Sequence, residues 1–153
     1  MEQTFVILKP STIERFLAGD VITRYQRKGL KIAGIKMMQL NEGILREHYA
    51  HLVDRPFFPE IVDSMMQTPV IVMVLEGKDA VEVVRSMTGA TNCRKAAPGT
   101  IRGDFGLSGQ ENIVHASDSV ENAKIEINRF FSPDEIFNYE LMLKPALYAS
   151  DEI

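Results

Sequence analysis

A chain of 153 residues, 45% hydrophobic and 25% charged, is long enough for one globular core and too short for two ordinary domains, so residues 1–153 are expected to form a single domain. The formal net charge of -4 argues against a generic nucleic-acid binder, which usually presents a strongly basic face, so an anionic ligand must be held by a local cluster. The lone cysteine, Cys93, excludes a disulfide framework and a cysteine-based zinc site, and suits a reducing cytoplasm. In chain order, "MEQTFVILKP" lacks a signal-peptide n-region and is too short to span a membrane. Its β-branched and aromatic run over residues 4–9 reads as a buried strand that Pro10 ends. Residues 13–28 place Ile13, Phe16, Leu17, Val21, Ile22 and Tyr25 at mainly helical spacing, with Gly29 as a C-cap. Residues 30–40 alternate like a half-buried strand, two short helices fit residues 42–53 and 58–67, and residues 69–77 form a second buried strand. A helix follows, capped by Asp79 and stopped by Gly89. Residues 88–110 carry Gly89, Pro98, Gly99, Gly103, Gly106 and Gly109 with little periodicity, a loop too long to be a mere connector. "NIVHA" gives the last strand, and "SVENAKIEINRFF" gives a helix capped by Ser117, Asp118 or Ser119. The order predicts an α/β (α+β) sandwich: a ferredoxin-like βαββαβ antiparallel four-stranded sheet covered by helices.

Three histidines are candidates for chemistry. His48 and His51 sit three apart in "REHYAHL" with no evident third metal ligand, and an ordinary solvated helix face explains them. His115 ends a buried strand, with Glu126 eleven residues later on the next helix. If that helix folds back beside the strand, Glu126 or Ser117 holds one imidazole nitrogen and leaves the other as nucleophile or base; the alternative is a satisfied strand-end histidine. The glycine-rich stretch adds Arg85, Arg94, Lys95 and Arg102 with Thr88, Thr91 and Thr100, groups that neutralise and orient a polyphosphate, although turn glycines in a solvated basic loop read the same way. Neither a P-loop nor the protein-kinase motif set is present. Lys9 ends an apolar strand and requires an acidic neighbour or an anionic ligand. Phe57 and Phe58 read as core, or as a stacking face for a nucleobase.

These residues resemble the nucleoside diphosphate kinases. "NIVHASDS" is similar to the family signature N-x-x-H-[GA]-S-D, and "FVILKP", "HYAHLVDRPFF", "PVIVMVLEG", "GATN", "PGTIRGDF" and "SVENAKIEINRFF" resemble family segments in the same order, covering about residues 3 to 140. The resemblance implies a homo-oligomer that moves the γ-phosphoryl group of a nucleoside triphosphate, mainly ATP, to a nucleoside diphosphate. The route it implies is ping-pong, through a pros-phosphohistidine at His115. It implies that Lys9 and Asn112 bind the sugar hydroxyls, with Lys9 also reaching the phosphates; that Phe57 stacks on the base; and that Arg85, Thr91 and Arg102 bind phosphates. Tyr49 matches the tyrosine beside the histidine, and Ser117 and Glu126 match the pair that orients it. Magnesium is held mainly by the nucleotide phosphates, with no protein-only metal site. The tail over residues 138–153 is as long as in many hexameric relatives, which favours a hexamer over a tetramer; no membrane and no specific nucleic acid are implied.

Several positions depart from the family pattern. Ser11-Thr12 follows Lys9-Pro10 where Asp-Gly or Asp-Ala is common, Phe16 stands where glycine is common, and Cys93 where proline is common. Ala116 replaces the commoner glycine, and Gly109 occupies the position whose side chain often covers the second face of the base, with Leu107 nearby as a substitute. Two other readings compete with an active kinase. A non-catalytic nucleotide-binding relative would be expected to have lost part of the set Lys9, Arg85, Arg102, Asn112 and His115. A single-stranded nucleic-acid module is disfavoured by the acidic charge.

Overall fold

The computed structural model describes residues 1–153. Four strands form one antiparallel sheet: β1 (Glu2–Leu8), β2 (Lys31–Met38), β3 (Val70–Gly77) and β4 (Val114–Ala116), in the order β2-β3-β1-β4. That is the expected ferredoxin-like arrangement, with β1 and β3 central and buried on both faces. Their unbroken apolar runs follow from this position, because successive side chains alternate between two covered faces.

One face carries Phe5, Ile7, Val72 and Val74 beneath α3 (Glu42–His48), α4 (Phe58–Met66) and α7 (Val120–Phe130), with Leu45, Met65, Ile127 and Phe130 as helix partners. The other carries Val6, Leu8, Met73 and Leu75 beneath α2 (Ala18–Lys28) and α5 (Ala80–Thr88), which contribute Val21, Tyr25 and Val84. β2 is an outer strand, and the C-terminal segment runs beside it. The Phe137 N–H donates to the Ala33 carbonyl (2.8 Å), and the Tyr139 hydroxyl donates to the Ile32 carbonyl (2.6 Å), so part of an otherwise open edge is satisfied.

Three local expectations are corrected. The helix expected over residues 13–28 is two helices, α1 (Pro10–Glu14) and α2, broken at Phe16, whose φ of 58° is left-handed. Helical spacing of apolar residues carries no signal for such a break, since Phe16 is 91% exposed and belongs to neither core. Asp79 precedes α5 in a left-handed conformation (φ 51°) and makes no capping bond; Glu2 on β1 accepts from the Val81 N–H instead (2.8 Å). The stretch 88–110, read as loop, contains a 3-10 turn at Cys93–Lys95 and a short helix α6 (Ile101–Phe105). Thr100 builds α6: its side chain accepts from the Gly103 N–H (3.0 Å) and donates to the Ala97 carbonyl (2.6 Å). Gly103 and Gly106 are required by close approach, because a Cβ at either would overlap the Ala97 carbonyl oxygen or the Cys93 sulfur.

Glycine tolerates the left-handed region at no steric cost, whereas other residues lose about 1 kcal/mol or more there. Phe16→Gly is therefore expected to raise the unfolding free energy by roughly 0.5–1 kcal/mol in denaturant titration. An unchanged or lowered midpoint would show that the exposed ring contributes more than the strain costs.

Candidate active site

β4 pairs with the C-terminal half of β1, Ile7 opposite His115, which puts the imidazole on the face covered by α7. Ser119 caps α7 by accepting from the Asn122 N–H (3.1 Å), and the helix then presents Asn122, Ile125, Glu126 and Arg129 to one cavity. Those spacings of three and four are a single helical face. Glu126 is 7% exposed, and its Oε2 meets His115 Nε2 in a short hydrogen bond. A carboxylate accepts only, so Nε2 carries the proton and Nδ1 keeps its lone pair. The His115 side chain remains 23% exposed to the cavity.

The cavity holds about 600 Å³ and is lined by Lys9, Tyr49, Arg85, Thr91, Arg102, Asn112 and His115. Asn112 ties its parts together: its Oδ1 accepts from Lys9 Nζ (2.6 Å), and its amide donates to the Thr91 (3.0 Å) and Gly109 (3.1 Å) carbonyls. Arg102 donates to the carbonyls of Asn112 (3.0 Å), Gly89 (3.3 Å) and Val114 (2.7 Å), which uses three of five N–H donors and leaves two for a ligand. Arg85 is exposed at the rim and makes no hydrogen bond or ion pair within the chain. Ile113, between Asn112 and β4, has a φ of 74°, a strained state for a β-branched residue. Its carbonyl accepts from the Lys9 N–H (2.9 Å) and from the buried Thr12 hydroxyl (2.5 Å). The departure at Thr12 is thus absorbed by a bond that holds the strained turn beside the histidine.

Burial, and then the neighbouring Arg102 charge, lower Lys9 to a pKa of about 8. Burial, and then the Glu126 charge, raise Tyr49 to about 12, so its phenol stays protonated. Arg102 is lowered by burial. A lysine whose pKa is lowered chiefly by burial would regain its proton beside an anion, whose charge favours the protonated form.

Two expected residues stand apart. Phe57 is 43% exposed, precedes α4 and does not line the cavity. The Ser117 hydroxyl is fully buried and donates to the Phe5 carbonyl (3.4 Å); no hydrogen bond joins it to His115 or Glu126, and it fixes β4 against β1 instead. One group lies closer than its sequence implied. His48, read as part of a solvated helix face, is buried with its ring centroid 4.6 Å from that of His115. The signal for its burial was its position three residues after Leu45, also buried on α3. Arg129, three residues after Glu126, donates to His48 Nδ1 (2.9 Å) and was not singled out either. His48, His115 and Glu126 are the only His/Cys/Asp/Glu group compact enough to hold an ion. An ion bound there would occupy the imidazole itself, so the donor set does not fit a resident metal.

An αβ sandwich in which a buried carboxylate holds a strand-end histidine in a cavity shared with Lys9, Arg85 and Arg102 is suited to transferring an anionic group. The family model for nucleoside diphosphate kinase matches residues 2–136. A nucleoside diphosphate kinase of Parabacteroides distasonis is 59% identical over 152 residues, covering 99% of each chain, and that of Archaeoglobus fulgidus is 53% identical over 140 residues, covering 92% of this chain and 93% of its own. The structure of the Halobacterium salinarum nucleoside diphosphate kinase in complex with CDP superposes with a TM-score of 0.93 at 42% identity, covering 96% of this chain and 98% of that one. The chain belongs to the nucleoside diphosphate kinase family, and its activity is that of a nucleotide-binding phosphotransferase. No helix is long and apolar enough to cross a membrane.

Between pH about 8 and 10.5 the unfolded Lys9 holds a proton that the folded one has lost, so its unfavourable contribution to folding relaxes as pH rises through that window. An anion placed beside Lys9 would reverse the deprotonation. Calorimetry near pH 8 in two buffers of different ionisation enthalpy is expected to show proton uptake on binding; equal heats in both buffers would place Lys9 away from the phosphates.

Proposed function

We propose that the chain, acting as one domain over residues 1–153, moves the γ-phosphoryl group of a nucleoside triphosphate, mainly ATP, to a nucleoside diphosphate through a phosphohistidine on His115. The observation that carries this reading is the short bond from His115 Nε2 to the buried Glu126 carboxylate, which leaves Nδ1 unbonded on a ring that lines the same cavity as Lys9, Arg85 and Arg102. The Nδ1 lone pair forms a bond to the γ-phosphorus while the bond to the bridging oxygen breaks, its electron pair leaving on the nucleoside diphosphate. In the second half, a terminal oxygen of the acceptor diphosphate attacks that phosphorus and the electron pair of the P–N bond returns to Nδ1. That oxygen is ionised at neutral pH, so no general base is needed and positioning and charge neutralisation are the remaining tasks.

Arg85, Thr91, Lys9 and the two free donors of Arg102 bind the phosphates, while Lys9 and Asn112 also bind the sugar hydroxyls. Tyr49, protonated, stands beside the histidine as a donor, and Ser117 acts through the β1–β4 pairing. Magnesium enters with the substrate, held mainly by its phosphates, and supplies part of the charge neutralisation there. Phe57 stacks on the base without reading it, which supports broad base tolerance. A side chain at Gly109 would meet nothing nearer than the Asn92 amide at 4.0 Å, so the opposite face of the base has no cover at that position. The exposed side chains of Ile35 and Met37 on the outer strand, and of Phe137, Met142 and Leu143 in the tail, support self-association, and a hexamer is proposed over a tetramer. The unpaired, buried Cys93 supports a cytoplasmic setting. A non-catalytic nucleotide-binding role is the lesser reading, because the phosphate-binding cations and His115 are all in place.

Incubation with γ-labelled ATP and magnesium is expected to give a phosphoprotein stable to alkali and labile to acid, whose label passes to added GDP. Label that survives His115→Ala would contradict the assignment. Gly109→Val supplies the missing cover and is expected to tighten nucleoside diphosphate binding by roughly 3–10-fold, a stacking-sized gain; unchanged or weaker binding in a titration would place the base elsewhere.

A further inference from the structure

His48 is the buried cavity-wall residue to which the phosphoryl-transfer scheme gives no task. Its Nδ1 accepts a hydrogen bond from Arg129 Nη1 (2.9 Å), and its Nε2 is buried without a partner. Acceptance at Nδ1 puts the single ring proton on Nε2, so the ring is neutral. Charged and titratable groups face it from every side: His115 from β4, Glu126 and Arg129 from α7, Lys9 from the end of β1, His51 and Tyr49 from the segment after α3, and Glu47 beside Arg129 (Nε to Oε1 3.4 Å). Burial first, and then the neighbouring His115, hold its pKa down at about 2.

Arg129 lies three residues beyond Glu126 on the same face of α7, where an arginine and a carboxylate ordinarily pair. No hydrogen bond or ion pair joins them. The guanidinium goes to His48 and Glu47, and the Glu126 carboxylate goes to His115; His48 Nδ1, which takes the guanidinium, also lies 3.6 Å from Oε2 of Glu126. A guanidinium fork on Glu126 would compete for the oxygen that holds Nε2–H and would cancel its charge. That charge is needed most in the phosphoryl-transfer step, when bond formation at Nδ1 makes the His115 ring cationic.

We propose that His48 is a positioning residue for phosphoryl transfer: by accepting Arg129 and walling the His115 ring, it keeps the guanidinium off Glu126 and reserves that carboxylate for Nε2–H of His115. The proposal rests on His115 being the nucleophile. It also requires His48 to stay uncharged, since a protonated ring there would repel both Arg129 and the cationic His115.

The test compares the full-length protein with His48→Leu, His48→Gln and Arg129→Gln. Phosphoenzyme formation from γ-labelled ATP is followed by rapid quench through the neutral and mildly acidic range, together with nucleoside diphosphate affinity and thermal unfolding. His48→Leu frees the guanidinium and is expected to slow phosphoenzyme formation by roughly 10–100-fold, the scale of a small misplacement, with affinity changed less than ~3-fold. In His48→Gln an amide oxygen takes over the acceptor role, and most of the rate returns. Arg129→Gln removes the guanidinium that His48 holds, so in that background His48→Leu is expected to cost less than ~3-fold. A wild-type rate in His48→Leu, a His48→Gln as slow as His48→Leu, or a His48→Leu that slows the Arg129→Gln protein as much as the wild type each overturns the proposal. If His48→Leu does not fold, His48→Gln decides alone: a folded His48→Gln slowed by about 10-fold or more overturns the proposal. A wild type that takes no label on His115 would instead overturn the phosphohistidine reading, which keeps the two failures distinct.

Discussion

A carboxylate buried against an imidazole governs this molecule. Glu126 is 7% exposed, and its one hydrogen-bond partner is Nε2 of His115. Burying an ionised carboxylate is costly unless it is bonded, so the fold must deliver the histidine to it. It does so from two directions. The β1–β4 register fixes the His115 backbone opposite Ile7, and the Ser119 cap fixes the start of α7 so that Glu126 falls on the cavity face. The outcome is a histidine with one nitrogen reserved and the other open. In such a ring the tautomer is set by structure rather than by solvent.

Lys9 and Arg102, which line the same cavity as His115, are held by neutral groups rather than by acids. Lys9 is bonded to the Asn112 amide oxygen and Arg102 to three carbonyls, so their charge is not cancelled inside the chain. Neutral partners position a cation and leave its field available to an anion; carboxylate partners would not. The strained Ile113 sits at the junction of this frame with β4, and the bonds to its carbonyl from Thr12 and the Lys9 backbone hold it there. Glycines at 103 and 106 let α6 close onto the Ala97 carbonyl and Cys93, which brings Arg102 under the site. A cation-lined cavity is thereby assembled from separate chain segments without a P-loop.

Periodicity and punctuation revealed the four strands, most of the helices and the Gly29 cap, because those features arise from one-dimensional patterns of apolar and turn residues. The pairing of His115 with Glu126 was legible as a strand followed by a helix folding back, with Ser117 an equal contender until the distances separated them. The break at Phe16 left no trace in the apolar periodicity; its one signal was that Phe16 stands where glycine is common, glycine being the residue that takes a left-handed φ freely. The burial of His48 was hidden for another reason. A polar residue on a short helix is ordinarily solvated, and only the tertiary neighbours Arg129 and His115 make its burial tolerable. Phe57 lies off the cavity wall, and nothing in its sequence setting distinguished it from Phe58, which is buried in the core.

Glu126 therefore assigns the two nitrogens of His115 to different tasks, and this division can be observed directly. Phosphorus-31 and nitrogen-15 spectra of the phosphoenzyme, labelled in its histidine rings, report which nitrogen carries phosphorus and which carries hydrogen. The account predicts phosphorus on Nδ1 and a retained proton on Nε2. Phosphorus on Nε2 would mean that the carboxylate releases the ring during the reaction, and would contradict it.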